Sequence, residues 1–293
     1  MRISESHGAG GSLGRLARLG GLCVLLVFAA TRASSQGAPG DLLVAPTRVV
    51  LEGSRRTAEI TLVNTGSVTA TYRISFVNLR MNEEDGTKEI LPSDATADER
   101  FAEPLIRFSP RQVTLQPRIA QTVRIQLRLP AELPAGEYRS HLLFRAVPDA
   151  PAARAAGETE TDFSVQLVAV FGVSIPVIVR HGETSATATL SGLELVAPTD
   201  AAALPSLRFR IHRAGNRSVY GNLAVTFAGA DGPPTVLGLA NGVAVYTPNA
   251  TRTASLDLRV PPEIRLAHGR LHLAFTEQGK AGRAIAEADL VLP

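Results

Sequence analysis

The sequence predicts an all-β chain made of two immunoglobulin-like β-sandwich domains in tandem. Three observations carry this reading. From Asp41 onward the apolar residues fall in short alternating runs rich in Val, Ile, Leu and Thr, and helical periodicity is almost absent; alternation is the pattern of a half-buried strand, whose successive side chains point to opposite faces. The runs are separated by Gly, Pro and Asn, which supply the turns of a sandwich. The pattern also restarts after Val179-Arg-His-Gly-Glu183, a stretch that reads as a linker because Gly182 interrupts it.

Taken in order, the strands expected in a first domain spanning 41–180 are Leu43–Leu51, Thr57–Asn64, Ala70–Leu79, Leu105–Ser109, Gln112–Leu115, Ala120–Arg128, Gly136–Val147 and Phe163–Val179. A second domain over 185–293 offers Ala186–Val196, Ser206–Arg213, Val219–Ala228, Thr235–Val245, Arg252–Val260, Gly269–Glu277 and Ala284–Leu292. Both counts suit a sandwich. With 293 residues, 45% hydrophobic and 19% charged, the chain has material for two cores. Two connections stand apart. Asn82–Glu103 is acidic and interrupted by Pro92, and Pro148–Asp162 has no apolar residue larger than alanine to bury, so both read as loops, the second mobile in the free protein.

The first 36 residues differ from the rest. Arg15 and Arg18 precede the apolar run Leu19–Ala30, and small residues follow. This is the pattern of a cleaved secretory signal peptide, too short in its apolar part to span a bilayer. The only cysteine, Cys23, lies in that run and would leave with it, so disulfides contribute nothing to the expected fold. The formal charge of +3 is accounted for by Arg2, Arg15, Arg18 and Arg32 against Glu5. The remaining chain is balanced and has no global field to steer it to nucleic acid or anionic lipid.

Signals of catalysis are weak. There is no Gly-x-Ser-x-Gly elbow, no phosphate-binding loop and no dinucleotide fingerprint. His268 and His272 are four apart, but on a strand that separation is about 13 Å, too far to share a metal. His141, His181 and His212 are scattered, and pairs such as Asp85 with Glu103 or Glu158 with Glu160 lie in polar loops. The expectation is a binding protein, not an enzyme, with no metal and no cofactor. Tyr220, in the turn-rich Ala214–Gly221, is expected to pack at a domain edge.

The segment after the second loop carries the functional signal. Its odd positions, Phe163, Val165, Leu167, Ala169, Phe171, Val173, Ile175, Val177 and Val179, are all apolar, while the even positions are mixed. One face of such a strand is a continuous hydrophobic ridge, and Pro176 favours an edge position because it lacks a ladder donor. A long core strand gives this pattern. So does an edge strand that lends its ridge to a second polypeptide by β-augmentation.

Five stretches in order, Leu43-Val-Ala-Pro-Thr-Arg-Val-Val-Leu-Glu-Gly53, Thr61-Leu-Val-Asn-Thr-Gly66, Ile106-Arg-Phe-Ser-Pro-Arg-Gln-Val-Thr-Leu-Gln-Pro117, Gln121-Thr-Val-Arg-Ile-Gln126 and Gly136-Glu-Tyr-Arg-Ser-His-Leu-Leu-Phe-Arg145, resemble the first domain of the PapD-like periplasmic pilus-assembly chaperones. The match covers about Leu43–Arg180; the second domain is similar in kind only. The resemblance implies a cleft between the two domains and a periplasmic chaperone that completes a pilus-type subunit by donor-strand complementation, with an outer-membrane usher as a further partner. It places donor residues at Val165, Leu167, Ala169, Phe171 and Val173, a client carboxylate anchor at Arg48, and an interdomain salt bridge at Arg180. The family's second cation, a donor-strand lysine, has no counterpart: Pro176 or Ser174 stands there. That leaves Arg48 acting alone, another cation such as Arg180 in its place, or a secreted Ig-like structural or adhesive protein that keeps the fold without a chaperone cycle.

Overall fold

The computed structural model describes residues 41–84, 86–148, 169–200, 203–229, 232–279 and 282–293. The signal segment with Cys23, the proposed donor residues Val165 and Leu167, most of the loop that follows Pro148, and Asp85 lie outside the described residues.

The strands, in chain order, are β1 Leu42–Ala45, β2 Val49–Leu51, β3 Thr57–Asn64, β4 Ala70–Met81, β5 Thr87–Ile90, β6 Ile106–Ser109, β7 Gln112–Leu115, β8 Ala120–Leu127, β9 Gly136–Val147 and β10 Gly172–His181. They continue as β11 Ala186–Val196, β12 Ser206–Gly215, β13 Val219–Gly229, β14 Thr235–Val245, β15 Thr251–Asp257, β16 Gly269–Glu277 and β17 Ala284–Leu292. In the first sandwich a sheet of order β1-β3-β8-β6 faces one of order β2-β10-β9-β4-β5, with β7 also on β4. In the second, β11-β12-β15 faces β14-β13-β16-β17.

Alternation decides which residues form each core. In β3 the buried positions are Ala58, Ile60, Leu62 and Asn64, with exposed or half-buried residues between them. They meet Val123, Ile125 and Leu127 of β8 and, from the facing sheet, Leu142 and Phe144 of β9. A separate cluster around Phe209, Val225, Leu273 and Phe275 fills the second sandwich. No residue is shared between the two clusters, so each sandwich has its own apolar core. The buried amide of Asn64 is satisfied locally. Asn64 Nδ2 donates to the carbonyls of Val68 (2.7 Å) and Leu115 (3.0 Å), and its Oδ1 accepts from the Gly66 amide at 2.9 Å. The Tyr138 hydroxyl donates to the Pro134 carbonyl at 2.8 Å, the corner by which immunoglobulin-like sandwiches tie a strand to the turn before it.

Three elements differ from expectation. The run Leu43–Leu51 is not one strand: β1 pairs antiparallel with β3 and β2 pairs parallel with β10, so the chain changes sheet between them, across a cis Ala45–Pro46 bond. The acidic connection after Asn82 contains β5. β4 runs past its pairing with β9, which ends at Val77, and β5 folds back onto the extension Asn78–Met81. Its sequence, Thr-Lys-Glu-Ile, buries only Ile90 and so carries no alternation. Finally the expected strand Phe163–Val179 is displaced: among the described residues β10 begins only at Gly172, leaving Ala169–Phe171 outside it, and it continues to His181, which shortens the linker. Gly182 turns the chain at φ +66°, where a Cβ would stand 2.7 Å from that of Ala135; only glycine fits.

Candidate functional site

β10 is the strand on which the sequence places the function, and its two edges are unlike. Along one edge β9 pairs with it from Gly172 to His181. Along the other, β2 reaches only Val177–Val179. Among the described residues, Gly172–Pro176 has no neighbour on that side. Pro176 offers no amide, so the available donors lie N-terminal to it.

The apolar ridge is divided. Ile175, Val177 and Val179 are buried in the first core and Val173 packs against it, so for this half the core-strand reading holds. Ala169 is exposed, as are Val170 (48%) and Phe171 (53%). Among the described residues, the ridge side chains free to meet another polypeptide are therefore Ala169 and Phe171, while Val173, expected among the donor residues, packs against the first core.

Arg48 immediately precedes β2 and is half-buried on the wall of a cleft of about 580 Å³ between the sandwiches, which Arg180, Ser218, Tyr220 and Arg283 also line. Its guanidinium lies over the ring of Tyr220, on β13, at 4.2 Å. Its Nη1 donates to the hydroxyl of Tyr246, just beyond β14, at 3.1 Å. Its Nη2 is buried and has no hydrogen-bond partner among the described residues.

Tyr246 has two further basic neighbours, both on β9. The Arg139 guanidinium stacks on its ring at 4.2 Å, and the His141 ring meets it edge-on at 6.3 Å. Arg139 and His141 are 8% and 5% exposed, and among the described residues Arg139 Nε and Nη1 and His141 Nδ1 find no hydrogen-bond partner. Burial pulls the Arg139 pKa down, and Arg48 adds to this while Tyr246 and Glu137 oppose it. Burial, with the nearby charges of Arg139 and Arg48, lowers His141 to about 3, so it is neutral at neutral pH. Burial also pushes the Tyr246 phenol up.

Arg180 stands at the junction, but both its carboxylate partners belong to the first sandwich: Glu137 at 3.1 Å and Glu52 at 3.0 Å. The expected salt bridge across the domains is corrected accordingly. Besides the Arg48–Tyr246 bond, a link across is made by Glu137, whose carboxylate accepts from the Ser218 amide at 3.2 Å and from the Ser218 hydroxyl, the latter in turn accepting from the Thr247 amide at 3.1 Å. A further bridge is backbone to backbone, Thr253 N–H to the Glu83 carbonyl at 2.7 Å, at the tip of the β4–β5 hairpin.

Sequence reasoning missed Arg139, Glu137, Ser218 and Tyr246. The signal available was the alternation Glu137, Arg139, His141 on β9, which reads as a solvated face. The second sandwich covers that face. Of the histidines expected to stand alone, His272 Nδ1 lies 2.8 Å from Asp289, and His212 lies between Ser191 and Thr251.

No family model matches the sequence, and no curated protein matches it. Solved structures do. The chain is similar to the YadV chaperone, at 12% identity over 86% of this chain and 100% of that one, with a TM-score of 0.43. It is similar to the chaperone–tip adhesion subunit pre-assembly complex CsuC–CsuE from archaic chaperone-usher Csu pili of Acinetobacter baumannii, at 14% identity over 84% and 97% of the two chains and a TM-score of 0.44. The CupB2 chaperone of Pseudomonas aeruginosa gives 14%, 85% and 100%, and a TM-score of 0.40.

Proposed function

We propose that this chain is a periplasmic chaperone that holds an extended strand of a pilus-type subunit by donor-strand complementation. The observation that carries the reading is the open edge of β10 over Gly172–Pro176, continuous with exposed Ala169, Val170 and Phe171. An incoming strand pairs its backbone with that edge and receives Phe171, Ala169 and the preceding donor residues Leu167 and Val165 in its groove, which shields both surfaces from aggregation. Arg48, on the cleft wall toward which β10 runs, anchors the client's terminal carboxylate by a charge-assisted hydrogen bond. An outer-membrane usher then takes over the subunit.

Co-expression with a pilus-type subunit tests this. The expected result is a soluble 1:1 complex that Leu167→Glu combined with Phe171→Glu abolishes. If the double variant holds the subunit as well as wild type, donor-strand binding is wrong. If no subunit gains solubility, the protein is an Ig-like structural or adhesive chain.

A further inference from the structure

We infer that Arg213 is the positioning residue of the cleft: it holds together the two segments of the second sandwich that carry Ser218, Tyr220 and Tyr246, and so sets the direction in which Arg48 is presented. The inference rests on the reading above only for what Arg48 then receives.

The alternation of β12 places Arg213 where a core residue is due. Leu207, Phe209 and Ile211 are its buried inward row, and Arg213, next in that row, is 9% exposed. A leucine there would extend the apolar core with no charge to take out of water, so the arginine supplies something other than burial. What it supplies is a set of directional bonds. Its Nε donates to the Asn249 carbonyl at 2.8 Å, its Nη1 to the carbonyls of Gly215 at 2.6 Å and Arg217 at 3.1 Å, and its Nη2 to that of Pro248 at 3.3 Å. These four acceptors are all backbone. Gly215 and Arg217 belong to the turn from β12 to β13, Pro248 and Asn249 to the loop from β14 to β15, so one planar, rigid fork spans both.

The same two segments form the wall that meets the first sandwich. The turn leads into Ser218, which bonds Glu137, and Tyr220, whose ring lies 4.2 Å from the Arg48 guanidinium. The loop begins with Tyr246, whose hydroxyl accepts from Arg48 at 3.1 Å, and Thr247, whose amide donates to the Ser218 hydroxyl. Arg48 therefore takes its ring contact from one segment and its hydrogen bond from the other, and its direction follows the spacing between them. Burial lowers the Arg213 pKa and the Glu137 carboxylate opposes this, so the charge also acts across the joint.

The probe is the Nε–H resonance of Arg48 in the full mature chain labelled with isotopic arginine, assigned by its absence in Arg48→Lys. Tyr220→Leu gives its position without the ring. Arg213→Lys, whose ammonium cannot fork to four carbonyls, is expected to move the resonance at least halfway to that position, and Arg213→Met further, while the methyl resonances of Val225 and Leu273 in the second core stay in place. Where Arg213→Met does not fold, Arg213→Lys decides. An Arg48 resonance that stays put overturns the inference, and so does a second core displaced or lost in both variants, which would make Arg213 a residue of the fold alone. Where a pilus-type subunit is held, Arg213→Lys should weaken it at least threefold in the wild-type background and have no further effect beside Arg48→Ala; an equal loss in both backgrounds would also overturn the assignment. The two readings fail separately. A wild-type chain that holds no subunit leaves the resonances and the role of Arg213 intact, whereas a subunit held by wild type with an unmoved Arg48 resonance in the variants leaves the chaperone and removes that role.

Discussion

The carboxylate of Glu137, with no side-chain exposure, accepts two hydrogen bonds from Ser218 and thereby joins the two sandwiches. Arg180 holds the same carboxylate from its own side at 3.1 Å. A buried charge so placed is tolerated because every contact to it is charge-assisted. It also fixes the second sandwich over the face of β9 that carries Arg139 and His141.

Ser218→Ala should therefore cost more than a surface serine. The amide bond survives, but the hydroxyl bond to a buried carboxylate is lost, a change of about 1.5–3 kcal/mol. Calorimetry is expected to show a lowered and broadened transition as the two cores begin to unfold separately. An unchanged endotherm would mean that the remaining bonds, Ser218 amide to Glu137, Arg48 to Tyr246 and Thr253 to Glu83, suffice to hold the sandwiches together.

Arg48→Ala should reduce client affinity by about 1.5–3 kcal/mol, read by titration with a subunit, while the midpoint of the free protein moves little. The geometry sharpens this. Arg48 is stacked on Tyr220 and bonded to Tyr246, so Tyr246→Phe, which keeps the ring and removes the hydroxyl, should cost a smaller part of the same affinity. An Arg48→Ala protein that melts several degrees lower but binds as before would assign Arg48 to the joint alone.

His141 makes stability depend on pH. Its folded value of about 3 lies below the ordinary 6.5, so between the two the unfolded chain binds a proton that the folded chain refuses. Stability from this group is therefore complete above about 6.5 and falls as pH drops toward 3, with a slope approaching 1.4 kcal/mol per pH unit. Glu99, held down to about 2 by Arg80, adds a loss of the same sign, but only below its ordinary 4.5. Urea unfolding of wild type and His141→Phe between pH 4.5 and 6.5 isolates the histidine. Parallel curves in that window would show that water reaches the ring.

Gly182→Ala should destabilise by about 1–3 kcal/mol, since φ is +66° and the new methyl would meet Ala135 at 2.7 Å. A thermal midpoint within a degree of wild type would mean that the linker shifts to accommodate it.

The sequence by itself determined the class of fold and nearly all of the strands. β3, β11, β16 and β17 run between the residues that alternation predicts, because each has a covered face and a wetter one, and period two is written directly in the chain. It also placed Arg48 next to Val49 and marked Phe171 on the apolar ridge. It did not reveal β5, whose pairing depends on the overhang of β4 and not on its own pattern, nor the point at which β10 passes from core to open edge, since buried and exposed valines look alike in one dimension. Least visible was the joint. Glu137, Arg139 and His141 alternate as a solvated face would, and only the packing of Ser218 and Tyr246 against them, between 77 and 109 residues further along the chain, removes the water and turns three ordinary polar side chains into a desolvated joint. Local sequence sets which way a side chain points from its strand; what it then faces is decided by a surface folded from distant residues.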